Sequence, residues 1–447
     1  MLPIFSILIT TFFFSSVIKT IFKQIKIIEL LGTSFLFGIG IESLIFFKIF
    51  STFDLITAQI FWLIKICETI IGFLIIGISN RKAKLRFGLN LKSVFSWSGI
   101  FWTGIFGLFS LSLIYTIYYP VHTTDALYYF DFRSKIMFLS HSVSGISILP
   151  NWSFYPMFTS MIGLISRLSG SDNPSFFYPI MMLSFAFIYY SSLRRFSTRN
   201  VASLFTFLMY STPLLFWQSR LDGMTNMPYT IFLGVGFIYS IDYLFSKKEN
   251  SQYYLFFSIL ALGLSRWVRI QEPFWMIPLL PMFVKLIWNK KWLSLLLGTL
   301  LFYSICAVWP NYISRTFGEM HGKNTTVSAM GALGTLSANK MKSISTIKLV
   351  ATKTSFTAYE SLLPVSIIFL ISLVFLPFIK VNIPIVVSLF FIFGSWALLV
   401  VSALYGTLVW SWMLELQNSL SRLSSFFVPL IWYYLCVFSN RLMSKIK

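Results

Sequence analysis

Long apolar runs separated by short basic clusters fill the chain from end to end. A helix needs about 20 mostly apolar residues to cross a bilayer, and fewer when flanking side chains snorkel. By that measure the candidate spans are 2–18, 28–49, 55–79, 94–119, 174–193, 201–217, 226–246, 252–265, 273–288, 293–310, 359–379, 382–403 and 424–439, about 13 in all. The pattern predicts an all-α polytopic membrane protein. The run from Leu2 to Val17 lacks a basic segment ahead of it and reads as a retained span rather than a cleaved signal peptide.

Basic clusters orient the spans, because cytoplasmic loops carry the excess of Lys and Arg. Lys19, Lys23 and Lys26 follow the first span, Arg81, Lys82, Lys84 and Arg86 the third, and Arg194, Arg195 and Arg199 the segment 174–193. Lys247, Lys248, Lys290 and Lys291 mark two further turns, and Arg441, Lys445 and Lys447 end the chain. With all of these inside, the N-terminus lies outside. Two long extracytoplasmic loops then follow, at about 120–173 and 311–358. The apolar piece 157–169 cannot span under this parity and is expected at the membrane surface. Lys323, Lys340, Lys342, Lys348 and Lys353 make the second loop basic, against the positive-inside trend.

Composition strengthens this picture. Hydrophobic residues make up 57% of the chain, aromatics 19% and charged residues only 11%, where a soluble domain carries roughly a quarter charged residues. A net charge of +21 would suggest nucleic acid in a soluble protein. Here Lys and Arg anchor loops against anionic membrane lipids, and no nucleic-acid partner is expected. Cys67, Cys306 and Cys436 lie far apart in apolar stretches, which excludes a disulfide framework or a zinc spacing.

The titratable side chains gather on one side. Asp54, Asp125, Asp131, Asp172, Asp222, Glu272, Glu319, Glu360 and Glu415 fall outside or at outer helix ends, with His122, His141 and His321. Glu29 and Glu249 fall inside, and Glu42, Glu68 and Asp242 in or near spans. A transporter holds such groups near the bilayer midplane. The asymmetry favours an enzyme working at the outer surface.

The richest stretch runs from Tyr119 to Phe138 in the first outside loop. It predicts an amphipathic helix from Asp125 to about Ser140, with Asp131 and Lys135 as an i,i+4 pair. Further on, Tyr155-Pro156 breaks the chain and starts a helix. Asn151-Trp-Ser153 and Asn324-Thr-Thr326 match the N-glycosylation sequon.

Taken in order, Asp125-Ala126-Leu-Tyr-Tyr, Tyr155-Pro156, Arg194-Arg195, Arg220-Leu-Asp222-Gly-Met, Arg266-Trp-Val-Arg269-Ile-Gln-Glu272-Pro, and Arg422 ahead of Pro429 form a series. This series resembles the GT-C superfamily of membrane glycosyltransferases. More narrowly, it is similar to the branch of bacterial lipid and core-oligosaccharide glycosyltransferases and protein mannosyltransferases. The likeness covers roughly residues 94–440. It suggests N-terminal transmembrane helices over 1–93 and a GT-C-like core over 94–447. Three spans precede that core, where many relatives have one. The acidic pair is Asp-Ala rather than Asp-Glu, which leaves Asp131 as the candidate second acid.

The resemblance implies transfer of a sugar from a polyprenyl-phosphate donor to a hydroxyl of a lipid, glycan or protein acceptor, with inversion. It implies a bacterial inner membrane with the site on the periplasmic face. Asp125 would be the base. Arg266, Arg269, Lys323 and Arg422 would stabilise the leaving phosphate. Asp131, Arg133, Lys135, Tyr155, Asp222 and Glu272 would contact substrate. Some relatives hold a divalent metal and others need none; Asp125, Asp222, His122 and His321 are the candidate ligands here. Two other classes fit a multi-span chain with outside loops: a polymerase or ligase acting on lipid-linked glycans, and a transporter of such glycans.

Overall fold

The computed structural model describes residues 2–79, 96–119, 121, 123, 125–148, 155–220, 224–246, 251–270, 273–317, 343–379, 381–409 and 421–446. Among them every regular element is helical. That follows from an apolar solvent, in which each backbone N–H and C=O must be satisfied within its own segment. The spanning helices are α1 (Leu2–Ile21), α2 (Ile27–Phe53), α3 (Ala58–Ser79) and α4 (Trp97–Tyr118). A π-helical turn (Ala126–Asp131) then runs directly into α5 (Phe132–Ser140). After it come α6 (Phe158–Leu168), α7 (Phe177–Leu193), α8 (Arg199–Ser211), α9 (Pro213–Gln218) and α10 (Asn226–Phe245).

The C-terminal half holds α11 (Ser251–Val268), α12 (Met276–Trp288), α13 (Trp292–Cys306) and α14 (Val308–Phe317). It ends with α15 (Ser343–Ser361), α16 (Leu363–Phe375), α17 (Ile383–Val409) and α18 (Phe427–Ile446).

Seven helices among the described residues are long and apolar enough to cross a membrane, or up to nine if two bent pairs each count as one span. The seven lie on the expected segments 2–18, 28–49, 55–79, 94–119, 226–246, 382–403 and 424–439. The bent pairs are α13 with α14, at 45°, and α15 with α16, at 106°. Other expected spans are shorter or interrupted. The segment 201–217 is cut at Thr212, because Pro213 has no N–H to continue the ladder of α8.

The chain forms two compact units, 1–211 with 216–231, and 212–215 with 232–447. The boundary expected at 93/94 falls outside the described residues. In the first unit, α1, α2 and α3 pack on one another, α2 also packs on α6 and α7, and α4 packs on α8. In the second, α11 packs on α13, α12 on α13 and α17, and α17 on α15 and α18.

The surface placement expected for 157–169 does not hold. All of α6 is buried, Arg167 included, between α2 and the 126–140 helix. Ser166 Oγ donates to the Ser171 and Asn173 carbonyls and the Arg167 guanidinium bonds to neighbouring protein groups, and every residue of the helix is buried, so it presents no polar face to water. Gly163 permits the close packing: a Cβ there would sit 2.5 Å from Ser134 Oγ.

Both ends of α2 are pinned. At one end Glu29 accepts from Arg195 Nη2 at 2.7 Å. At the other, Asp54 caps the helix in the left-handed region and receives the 142–144 turn. Glu29 thus shares one end of α2 with Arg195, and Asp54 shares the other with the 142–144 turn.

Candidate functional site

The helix expected from Asp125 to Ser140 is present, and it carries the first group of candidate residues. Asp125 opens it, half-buried, at the π-helical turn. Single π-helical turns insert a residue into the helical register and are frequent at functional sites. Ala126, Phe130, Asp131, Arg133, Ser134 and Met137 all face inward, so charged and apolar residues share one buried face. Leu127, Tyr128, Phe132 and Lys135 face outward.

Asp131 is 4% exposed and holds two cations at once. Arg167 Nη2 donates to its Oδ1 at 2.5 Å, and Lys135 Nζ lies 3.0 Å from its Oδ2. The expected i,i+4 pair therefore exists, but it is one arm of a buried cluster rather than a surface bridge. Arg167 also donates to Ser134 Oγ and to the Gly163 carbonyl, at 3.3 Å for the latter, and its Nε lies 3.8 Å from Asp172 Oδ1. A cleft of about 500 Å³ opens over this cluster, lined by Asp131, Lys135, Phe138, Arg167, Asp172 and Asn173. Val121 and Leu139 complete a lining that is mostly apolar, with two cations and two carboxylates set into it, the mixture of an apolar wall and a few placed polar groups that small-molecule sites use.

Arg133 is the more unusual side chain. It is fully buried. Its Nη1 donates to the Tyr155 carbonyl at 2.9 Å and touches Met157 Sδ at 3.7 Å, while Nε and Nη2 have no hydrogen-bond partner. Its Cζ stands 5.9 Å from the Phe130 ring centroid, and the Tyr155 ring packs edge-on to Phe130 at 5.4 Å. No carboxylate pairs with it among the described residues. Burial lowers its pKa to about 10, against which the nearby Tyr155 and Tyr129 act, and it stays charged at neutral pH. A buried guanidinium with free N–H groups is costly unless an anion completes it.

Asp131, Arg133 and Lys135 thus lie on the element that Asp125 begins, and Tyr155 reaches it through the Arg133 and Phe130 contacts. Arg167 and Asp172 belong to the same cluster and were not foreseen. The signal for Arg167 was a lone Arg inside an apolar stretch, which requires a partner.

The second group lies in the second unit. Arg266 sits in the last turn of α11, over the Trp275 ring at 5.7 Å and within hydrogen-bond contact of Cys306. Arg269, just beyond α11, is buried rather than snorkelling to water. Phe274 packs on Phe426 at 4.5 Å, in the turn that follows half-buried Arg422. His122, Asp222, Glu272, His321 and Lys323 lie outside the described residues. Of the candidate metal ligands only Asp125 is described, and no group of three metal-ligating side chains occurs among the described residues.

Comparison with protein-family models, with curated proteins and with solved structures gives no match in any of the three.

Proposed function

We propose that this chain is a membrane glycosyltransferase that moves a sugar from a polyprenyl-phosphate donor to an acceptor hydroxyl, with Asp125 as the base. The observation that carries the reading is Arg133: a fully buried cation with two unpartnered N–H faces, eight positions after Asp125 on the same continuous helix. A phosphate oxygen satisfies such a fork, and a lipid-linked phosphate is the anion a membrane protein meets at this level.

The chemistry balances with these groups. The acceptor oxygen attacks the anomeric carbon, Asp125 takes its proton, and the bond from that carbon to the phosphate oxygen breaks. The phosphate leaves with the electron pair and needs no proton, because it is already an adequate leaving group. Charge that develops on it is stabilised by fixed N–H donors. Arg133 supplies these donors in the first unit. One-step displacement of this type inverts the anomeric centre.

The test uses purified full-length protein in lipid vesicles with a panel of prenyl-phosphate sugars. Asp125→Asn is expected to abolish transfer while donor binding persists. Transfer at the unsubstituted rate in Asp125→Asn would remove the proposal.

A further inference from the structure

Three spanning helices hold an ion cluster that the transfer chemistry above does not use. Lys65 on α3 is fully buried. Its Nζ donates to Glu42 Oε1 on α2 at 2.6 Å, to Glu68 Oε2 on α3 at 3.1 Å and to Thr10 Oγ1 on α1 at 2.8 Å. These three bonds occupy all three ammonium hydrogens. The Phe46 and Phe61 rings flank the ammonium at 5.9 and 5.8 Å. The helices are 20, 27 and 22 residues long, and all four polar residues lie about 10 Å or more of helical rise from either end. The cluster therefore belongs in the apolar interior of the bilayer rather than at its rim.

The charges do not balance as drawn. One ammonium faces two carboxyl groups, and an uncompensated negative charge at this depth is expensive. Glu42 and Glu68 share this one ammonium, each accepting one of its hydrogens, and two ionised carboxylates have no hydrogen to donate to one another. Glu42 Oε2 is buried and lacks a donor, and Lys65 has no hydrogen left to offer it. A proton on the pair supplies the missing donor and neutralises the cluster together. Other ionisable groups on the packed helices are bonded to none of the three. Lys19 caps carbonyls of Lys23 and Ile25, Glu29 pairs with Arg195, Lys48 and Cys67 are exposed, and Asp54 holds the 142–144 turn. On α6 and α7, which pack on α2, Arg167 is bound to Asp131, and Tyr178, Tyr189 and Tyr190 make no bond to the cluster.

We propose that Glu42 and Glu68 form an intramembrane proton-binding site, in which one exchangeable proton is shared by the two carboxyl groups and Lys65 is the built-in counter-cation. Binding takes the cluster from a net charge of −1 to zero, and release returns the proton to water. Glu68 is the least enclosed of the three, its side chain 10% exposed against 0% for Lys65 and 2% for Glu42. The ammonium already occupies the position a metal cation would take, so the ligand is the proton.

Infrared difference spectroscopy on the full-length protein in lipid nanodiscs tests this without any sugar substrate. At neutral pH the unsubstituted protein is expected to show one protonated-carboxyl C=O band that shifts in heavy water and is absent from both Glu42→Gln and Glu68→Gln. Either substitution leaves one carboxylate opposite one ammonium, so each variant is expected to stay folded, which its thermal unfolding and gel-filtration profile report. Alkaline titration is expected to release one more proton from the unsubstituted protein than from either variant. Spectra that superimpose for all three proteins, or a band that persists in either variant, overturn the proposal.

Discussion

Arg167 projects from the last turn of a wholly buried helix and places its Nη2 2.5 Å from Oδ1 of Asp131, on the helix that Asp125 begins. Both side chains are almost inaccessible, at 1% and 3%. The pair ties α6 to the candidate site. Removing one partner strands the other charge in a low-dielectric interior, which costs about 3–5 kcal/mol, whereas replacing both with apolar residues of similar size is often neutral. Arg167→Met is therefore expected to lower stability by about 3–5 kcal/mol, and the double variant Asp131→Leu/Arg167→Met to recover most of it. Thermal unfolding of the detergent-purified variants measures both. Lys135 remains beside Asp131 in the single variant, but it is half-exposed and replaces only part of the lost interaction.

Arg133 separates stability from activity. Its two unpartnered N–H groups make it a burden on the fold and an asset to an anion-binding site. Arg133→Met is expected to unfold at the same temperature as the unsubstituted protein or higher. Sugar transfer in the same variant is expected to fall by about 10²–10³-fold, the usual effect of removing a donor to developing negative charge. A variant that loses stability and keeps transfer would show that Arg133 is structural.

The parts legible in the sequence were those set by local periodicity. The Asp125–Ser140 helix, the Asp131–Lys135 spacing and seven of the spanning helices follow from helical register and apolar length alone. What escaped depended on contacts between distant segments. The parity of the basic clusters keeps 157–169 from spanning and leaves it at the surface, but no contact within the stretch reveals that α2 and α5 close over it. Its lone Arg167 was the one local clue. Glu42 and Glu68 are visible in the sequence as acids in or near spans, yet only the contact of α2 with α3 shows that Lys65 lies between both acids. For the candidate site, sequence order already sets Asp131, Arg133 and Lys135 on one helix, and the contact of Arg133 with the Tyr155 carbonyl is a tertiary one. That order offers no means of finding Asp172, which enters through the turn after α6.

Gly163 sets how close α6 approaches α5. A Cβ at this position would sit 2.5 Å from Ser134 Oγ and 2.9 Å from Ser134 Cβ. Ser134 also accepts from Arg167, so it cannot turn away without loosening that contact. Gly163→Ala is expected to cost about 1–3 kcal/mol, as overpacking does. Pairing it with Ser134→Gly, which clears the space, is expected to restore part of the loss. If Gly163→Ala unfolds like the unsubstituted protein, the two helices do not pack this closely.

Asp54 makes one contact of the fold pH-sensitive. Its Oδ1 accepts from the Val143 and Ser144 amides at 2.9 and 3.1 Å and from Ser142 Oγ at 2.7 Å, and Oδ2 accepts from Ser144 Oγ at 2.7 Å. Partial burial alone would raise its pKa; the Ser142 and Ser144 hydroxyls and the two amides outweigh this and hold it below the ordinary 3.8. A carboxyl whose folded value is depressed stabilises the fold at pH above the unfolded value, and that contribution is lost as pH falls through the folded value. The clamp between the α2–α3 loop and the turn after α5 is thus expected to be fully closed at neutral pH and to open only below about pH 4, the reference range of an aspartate. Hydrogen-exchange protection of the Val143 and Ser144 amides, corrected for intrinsic rates, reports it directly. Asp54→Asn keeps the left-handed cap but offers a neutral acceptor, so protection should be lower at neutral pH and flat through the acid range. An identical acid profile in Asp54→Asn would mean that another group controls the clamp.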